Sequence, residues 1–244
     1  MQLLGEWPIA PGFLIILPKM MQMAPNLAVL KKHLIYLAFN FPGLRQVKKL
    51  KEFILGELRT GLPEHLSYHN VDHTLDVMHA AEILARQELV DQPEEELLLT
   101  AALLHDTGFF KGRDEHEAAS CEFARKYLPA YGYHPEEVDR VCDIIMATRL
   151  PQSPACNLAE ILCDADLDYL GRNDFFPLSQ KLFTELVSEG LVKDEEEWNL
   201  QQADFMGNHR YFTKTAIHLR MSMQQQHIEQ IKAKITSKVI NENQ

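Results

Sequence analysis

The sequence is poor in cysteine, short of basic charge and without a long apolar run, and each shortage excludes something. Its four cysteines, Cys121, Cys142, Cys156 and Cys163, include no CxxC pair, which argues against a zinc ribbon and against a disulfide framework. Free thiols in a reducing cytoplasm are the simplest reading. Lys and Arg number 24 against 35 Asp and Glu, a formal charge of −11. A partner with a nucleic-acid backbone is thereby disfavoured, and so is an anionic membrane surface. The apolar stretch at 12–17 lies between Pro11 and Pro18, far short of the ~20 residues of a membrane span. The first charge is Glu6, so the basic start of a signal peptide is also missing. Eleven glycines and twelve prolines in 244 residues exclude collagen-like and low-complexity chains.

What is present is helical patterning. Five prolines (Pro8, Pro11, Pro18, Pro25 and Pro42) mark residues 1–43 as an irregular arm, with one helix near 27–39. Residues 44–215 read as one helical domain, and 216–244 as an amphipathic helix packed on it. Val47, Leu50, Phe53, Ile54 and Leu58 form a helical stripe, broken by Gly61 and Pro63. A helix follows over 71–90. Pro93 with Glu94, Glu95 and Glu96 marks a helix start, and the run 97–104 predicts a centrally buried helix. Further helices are expected at 115–128, 135–148, 157–170, 174–189, 194–205 and 211–239. In the last, Ile217, Met221, Ile228, Ile231, Ile235 and Val239 keep to one side. No strand-type alternation or internal repeat interrupts this. The expectation is an all-α bundle of about eight to ten helices.

The chemistry concentrates in three segments. His69 and His73 lie four apart and share a helix face. His105 and Asp106 end the apolar run just before Gly108. Asp164, Asp166 and Asp168 interrupt a third apolar stretch. Imidazoles and carboxylates at the ends of apolar helices are costly unless paired, hydrogen-bonded or metal-bound. One metal site gathering them satisfies all three segments. Two His and two Asp suit Zn, Mn, Fe, Co or Ni and are compatible with Mg. The isolated histidines His33, His65, His79, His134, His218 and His227 default to ordinary core or surface roles.

The ordered pattern His73, His105-Asp106, Asp166 resembles that of the HD superfamily of metal-dependent phosphohydrolases over about residues 45–215. The fragment YHNVDHTLDV is similar to a segment of class I cyclic nucleotide phosphodiesterases, as are Ile145–Thr148 and Ala165–Leu167. The resemblance implies an HD-domain bundle with one or two divalent ions. It implies His73, His105, Asp106 and Asp166 as ligands, with Asp106 bridging where two ions are present. His69 would be the general acid. Asp164 is an alternative last ligand, and Asp76 would support a ligand imidazole or an ordered water. Eukaryotic members of the phosphodiesterase class are longer and hold the substrate base with a late glutamine and an aromatic clamp. Neither Gln201, Gln202 nor Gln224–Gln226 can be matched to that glutamine from sequence. Lys111, Arg113 and His116 follow the HD turn, and Arg210 with Tyr211 opens the last helix. All read first as solvated or packing residues, and second as contacts to phosphate or a cover over the pocket. The implied activity is hydrolysis of a nucleotide-type phosphate ester, a cyclic phosphodiester favoured over a monoester. An HD-fold di-iron oxygenase and a non-catalytic metal-binding module are the alternatives from other classes. The partner is a small phosphate ester, and a homo-oligomer is left open.

Overall fold

The computed structural model describes residues 45–242, with side chains through Ser237. The arm at 1–43 and its expected helix lie outside the described residues. Among the described residues there are nine α-helices, three short 3-10 turns and no strand. No helix there is long and apolar enough to cross a membrane.

Helix α1 (Val47–Gly61) buries Leu50, Ile54 and Leu58 at i, i+4 spacing. It stops where Leu62 turns extended ahead of Pro63. Helix α2 (Val71–Gln87) starts at Asn70, whose side chain accepts from the Asp72 N–H. It ends three residues before the expected 90, because Leu89 adopts a left-handed backbone and the Val90 N–H returns to the Ala85 carbonyl. Helix α3 (Gln92–Leu104) is capped by Asp91 and buries Leu97, Leu98 and the whole of 100–104. It is followed by the 3-10 turn Thr107–Phe110 and by α4 (His116–Tyr127), α5 (Pro135–Met146) and α6 (Asn157–Asp166). Helix α3 packs against α1, α2, α4, α5 and α6, as its all-round apolar surface requires.

The second half runs through the turn Asp168–Gly171, α7 (Phe175–Ser188), α8 (Glu195–Asn208) and α9 (Lys214–Glu242). It has its own apolar cluster, centred on Tyr68, Tyr169, Phe175, Met206, Ile228 and Ile231. The helix expected over 157–170 is two elements, α6 and the 3-10 turn. At that turn Gly171 lies so close to α9 that a Cβ would stand 2.5 Å from the Arg220 carbonyl oxygen.

Of the stripe expected on α9, the Val239 side chain lies outside the described residues, and the remainder is only partly buried. Ile228 and Ile231 are inside, whereas Ile217 and Met221 are exposed. The covered side instead carries Ala216, Gln224 and His227. Gln224 donates to the Met206 carbonyl (3.2 Å), and His227 Nδ1 to that of Leu170 (2.9 Å). Buried polar side chains can carry a helix contact when backbone carbonyls receive them, and apolar periodicity does not register them.

Candidate metal centre and its cavity

The end of α3 carries the centre. His105 Nδ1 donates to the Ala102 carbonyl at 2.8 Å, which leaves Nε2 as the nitrogen with a free lone pair. The turn after it is pinned by buried Ser120, whose hydroxyl donates to the His105 carbonyl (2.5 Å) and accepts from the Gly108 N–H (2.7 Å). Gly108 is required there: a Cβ would fall 1.8 Å from the His116 carbonyl oxygen. That close approach lays the start of α4 against the turn holding Asp106.

Four side chains then converge. His73 Nε2 and His105 Nε2 are 3.4 Å apart. Asp106 Oδ2 is 3.3 Å from the first and 3.2 Å from the second. Asp166 Oδ1 is 3.2 Å and 3.4 Å from the same two nitrogens. Ligand atoms at about 2.0–2.2 Å from one ion stand about 3.0–3.5 Å from their neighbours, by the geometry of four- and six-coordinate shells. His73, His105 and Asp106 form a group spaced to hold a metal ion. Asp106 Oδ2 is buried and accepts no hydrogen bond, a costly state for a carboxylate that a cation would relieve. The donor set therefore fits a divalent metal.

The electrostatics agree. Burial pushes the His73 imidazole down, but Asp106 and Asp166 outweigh it and hold it up at about 9. His105 is raised by the same two carboxylates against its burial. Burial would raise Asp106 and Asp166, yet the facing imidazoles keep both well below the usual range. This pocket of side chains demands positive charge at its centre.

His69 lines the adjoining cavity from one residue before the α2 cap. Its Nδ1 lies 2.5 Å from Oε1 of Glu185, a fully buried carboxylate on α7. Glu185 Oε2 accepts from the backbone N–H groups of Tyr68 (2.8 Å) and His69 (3.0 Å). Arg113 donates to Glu185 (2.5 Å) and to Glu189 (2.6 Å). Phe109 is the platform: His69 stacks on it at 4.4 Å, His116 tilts against it at 4.4 Å, and the Arg113 guanidinium lies 5.2 Å from its centroid. His116 Nδ1 donates to the Arg113 carbonyl, and its Nε2 is 3.4 Å from Glu117 and 3.7 Å from Asp106 Oδ1. Glu185, Ser120 and Phe109 were not picked out as functional from the sequence.

The cavity has a volume of about 570 Å³. Asp106, Asp166, His69 and His116 line it, and an apolar wall comes from Leu182, Leu186, Trp198 and Phe205 of α7 and α8. Gln202 lines it too, its Oε1 accepting from Ser179 (2.5 Å), which in turn accepts from Trp198 Nε1 (3.2 Å).

Other expected site residues lie elsewhere. Lys111 pairs with Glu122 on the surface. Arg210 donates to the carbonyls of Gly207 and His209, and Tyr211 to that of Leu167, so neither covers the cavity. Asp76 binds Arg172 at 2.8 and 2.9 Å rather than supporting a ligand ring. Asp164 is engaged by the start of α9. It accepts from the N–H groups of Phe212 and Thr213 (2.8 Å each) and from the Thr213 hydroxyl (2.7 Å), anchoring the start of α9. Asp164 and Asp168 are four apart and point away from the centre, while Asp166, two residues from each, turns toward it.

Residues 70–168 match the family model of the HD domain. An uncharacterized protein of Clostridium beijerinckii is 31% identical over 101 residues. That match covers 40% of this chain and 62% of the relative, less than two thirds of its length. Three crystal structures share the fold. A predicted HD superfamily hydrolase from an uncultured Thermotogales bacterium is 24% identical with a TM-score of 0.51, covering 75% of this chain and 91% of that one. A Lactobacillus plantarum protein is 18% identical with a TM-score of 0.54, covering 79% and 97%. Bacillus subtilis YpgQ in complex with ADP is 20% identical with a TM-score of 0.53, covering 79% and 96%.

Proposed function

We propose that this chain is a metal-dependent phosphohydrolase acting on a nucleotide-type phosphate ester, with a cyclic phosphodiester as the favoured class. The observation that carries the reading is the convergence of His73, His105, Asp106 and Asp166 at 3.2–3.4 Å around an unsatisfied carboxylate oxygen. Asp106 and Asp166 line a cavity that also holds His69.

A divalent ion held by these four residues would neutralise the charge on the ester and lower the pKa of a bound water from 15.7 toward ~7. His69 supplies the proton. Its Nδ1 is engaged by Glu185, so Nε2 is the nitrogen from which a proton reaches the departing oxygen. Phe109 stacks on the His69 ring, and Arg113 bonds the same Glu185 carboxylate. Asp106 Oδ1, His116 and Glu117 form a second group of ligand atoms beside the first, suited to a second cation. The apolar wall takes the organic part of the ester and keeps water off it.

The favoured cyclic class rests on the fragment at 68–77. A nucleoside phosphomonoester is the second reading, supported by the ADP found with the Bacillus subtilis protein of like fold. Comparison of kcat/KM for cyclic nucleotides and for the 5′-monophosphates tests the choice. Turnover of cyclic esters is expected, with weak selectivity between bases of about 1–3 kcal/mol for a largely apolar slot. Turnover of monophosphates alone would overturn the cyclic class and leave the metal chemistry standing. A cytoplasmic setting is part of the same proposal, since all four cysteines are unpaired.

A further inference from the structure

Four cationic or potentially cationic side chains line the cavity: His69, Arg113, His116 and Arg149. Three are engaged close to the centre. His69 and Arg113 share buried Glu185, and His116 lies between Glu117 and Asp106. Arg149 differs. Its backbone is fixed at the end of α5, where its N–H reaches the Met146 carbonyl and Ser153 bonds to that of Ala147. Its guanidinium has one ion-pair partner, Glu115, and both side chains are at least half exposed. Glu115 also lines the cavity and directly precedes His116. Its backbone sits in the left-handed region at φ 53°, unusual for a residue with a side chain.

We propose that Arg149 binds a second anionic group of the ligand, one besides the group held at the His–Asp centre, and that Glu115 occupies its place until the ligand arrives. This rests on the reading of the cavity as a phosphate-ester site, and within that class it favours a ligand with a second anionic group, such as a nucleoside diphosphate, over a cyclic mononucleotide, whose single charge would leave Arg149 unused. An exposed Arg–Glu pair contributes little and is readily exchanged. A guanidinium forms stronger, two-pronged hydrogen bonds to a phosphoryl group. Glu115 is an anion of the chain standing where the ligand's anion goes. Arg113 is already committed, its Nε to Glu189 and its Nη2 to buried Glu185. A ligand with a single anionic group leaves the Arg149–Glu115 pair intact.

Calorimetry on the intact, Mn²⁺-loaded protein tests this with two probes in which carbon replaces every bridging oxygen, the 5′-deoxy-5′-methylene analogue of adenosine 5′-(α,β-methylene)diphosphate and the corresponding single phosphonate. The first is expected to bind about ten- to a hundredfold tighter, the range of a hydrogen bond to a charged group. Arg149→Ala should abolish that difference and leave the single phosphonate within about twofold, Arg149→Lys should keep part of it, and Glu115→Gln should tighten the diphosphonate alone. Equal weakening of both probes by Arg149→Ala, or an undiminished difference, overturns the proposal. Because binding is read rather than turnover, an Arg149-dependent difference in a protein that hydrolyses no ester would overturn only the hydrolytic reading. Turnover without such a difference would overturn only this one.

Discussion

Glu185 Oε1 lies 2.5 Å from Nδ1 of His69, joining residues 116 positions apart, with the carboxylate fully buried. A buried carboxylate persists only where donors surround it. Here the donors are one imidazole, one guanidinium and two backbone N–H groups. The pairing fixes which nitrogen of His69 is available to the cavity.

Glu185→Gln should therefore lower kcat by about 10–100-fold, the usual effect of losing a group that orients a working side chain, while bound metal is unchanged. Glu185→Ala should do the same and destabilise the fold by about 1–3 kcal/mol, because its donors lose their acceptor. Steady-state kinetics with elemental analysis and thermal melts check both.

The same carboxylate links stability to pH. Burial pushes Glu185 up, but hydrogen bonds and charge from His69 and the backbone N–H groups bring it from 4.5 down to about 2. The folded value is the lower one, so its contribution is fully present above about pH 4.5 and is lost as pH falls toward 2. Melts between pH 6 and pH 2 should fall less steeply for Glu185→Gln than for the wild type. Parallel curves would contradict the assignment.

His69→Ala should reduce turnover by ~10²–10⁴-fold, as for a lost general acid, with metal content retained. Loss of the metal together with activity would make His69 a ligand instead.

His105→Ala and Asp106→Ala should each remove metal, activity and part of the thermal stability, since an ion that binds only the folded state stabilises it. Metal retention should also weaken with falling pH, because the imidazoles must be neutral to bind. Full metal content in either variant would displace the centre from these residues.

Asp164→Ala separates anchoring from ligation. It leaves the Phe212 and Thr213 donors unpaired, so stability should fall by about 1–3 kcal/mol. Metal stoichiometry should not change. A variant that melts normally but binds no metal would reinstate Asp164 at the centre.

The helices were readable because local signals and burial agree: Pro93 and Pro135 stand in first turns ahead of apolar runs. The His–His–Asp–Asp convergence was readable because each residue ends or faces an apolar helix. Asp164 stayed open as an alternative to Asp166 because three acids two residues apart differ only in helical phase. Glu185 was missed because a glutamate is read as solvated by default, whatever helix carries it. A signal existed: with Phe175, Leu178 and Leu182 it continues one apolar stripe of α7. Lys111 and Arg210 could not be placed, because long cationic side chains find whichever carboxylate or carbonyl is near, and that is a tertiary fact.

The central claim is that His73, His105, Asp106 and Asp166 hold a divalent ion needed for ester hydrolysis. The most direct test strips the protein of metal and titrates Mn²⁺ back while phosphorus products and bound metal are measured together. Turnover should be absent at the start and rise in proportion to metal bound. Hydrolysis by the stripped protein, or full metal occupancy with no ester cleaved, would contradict it.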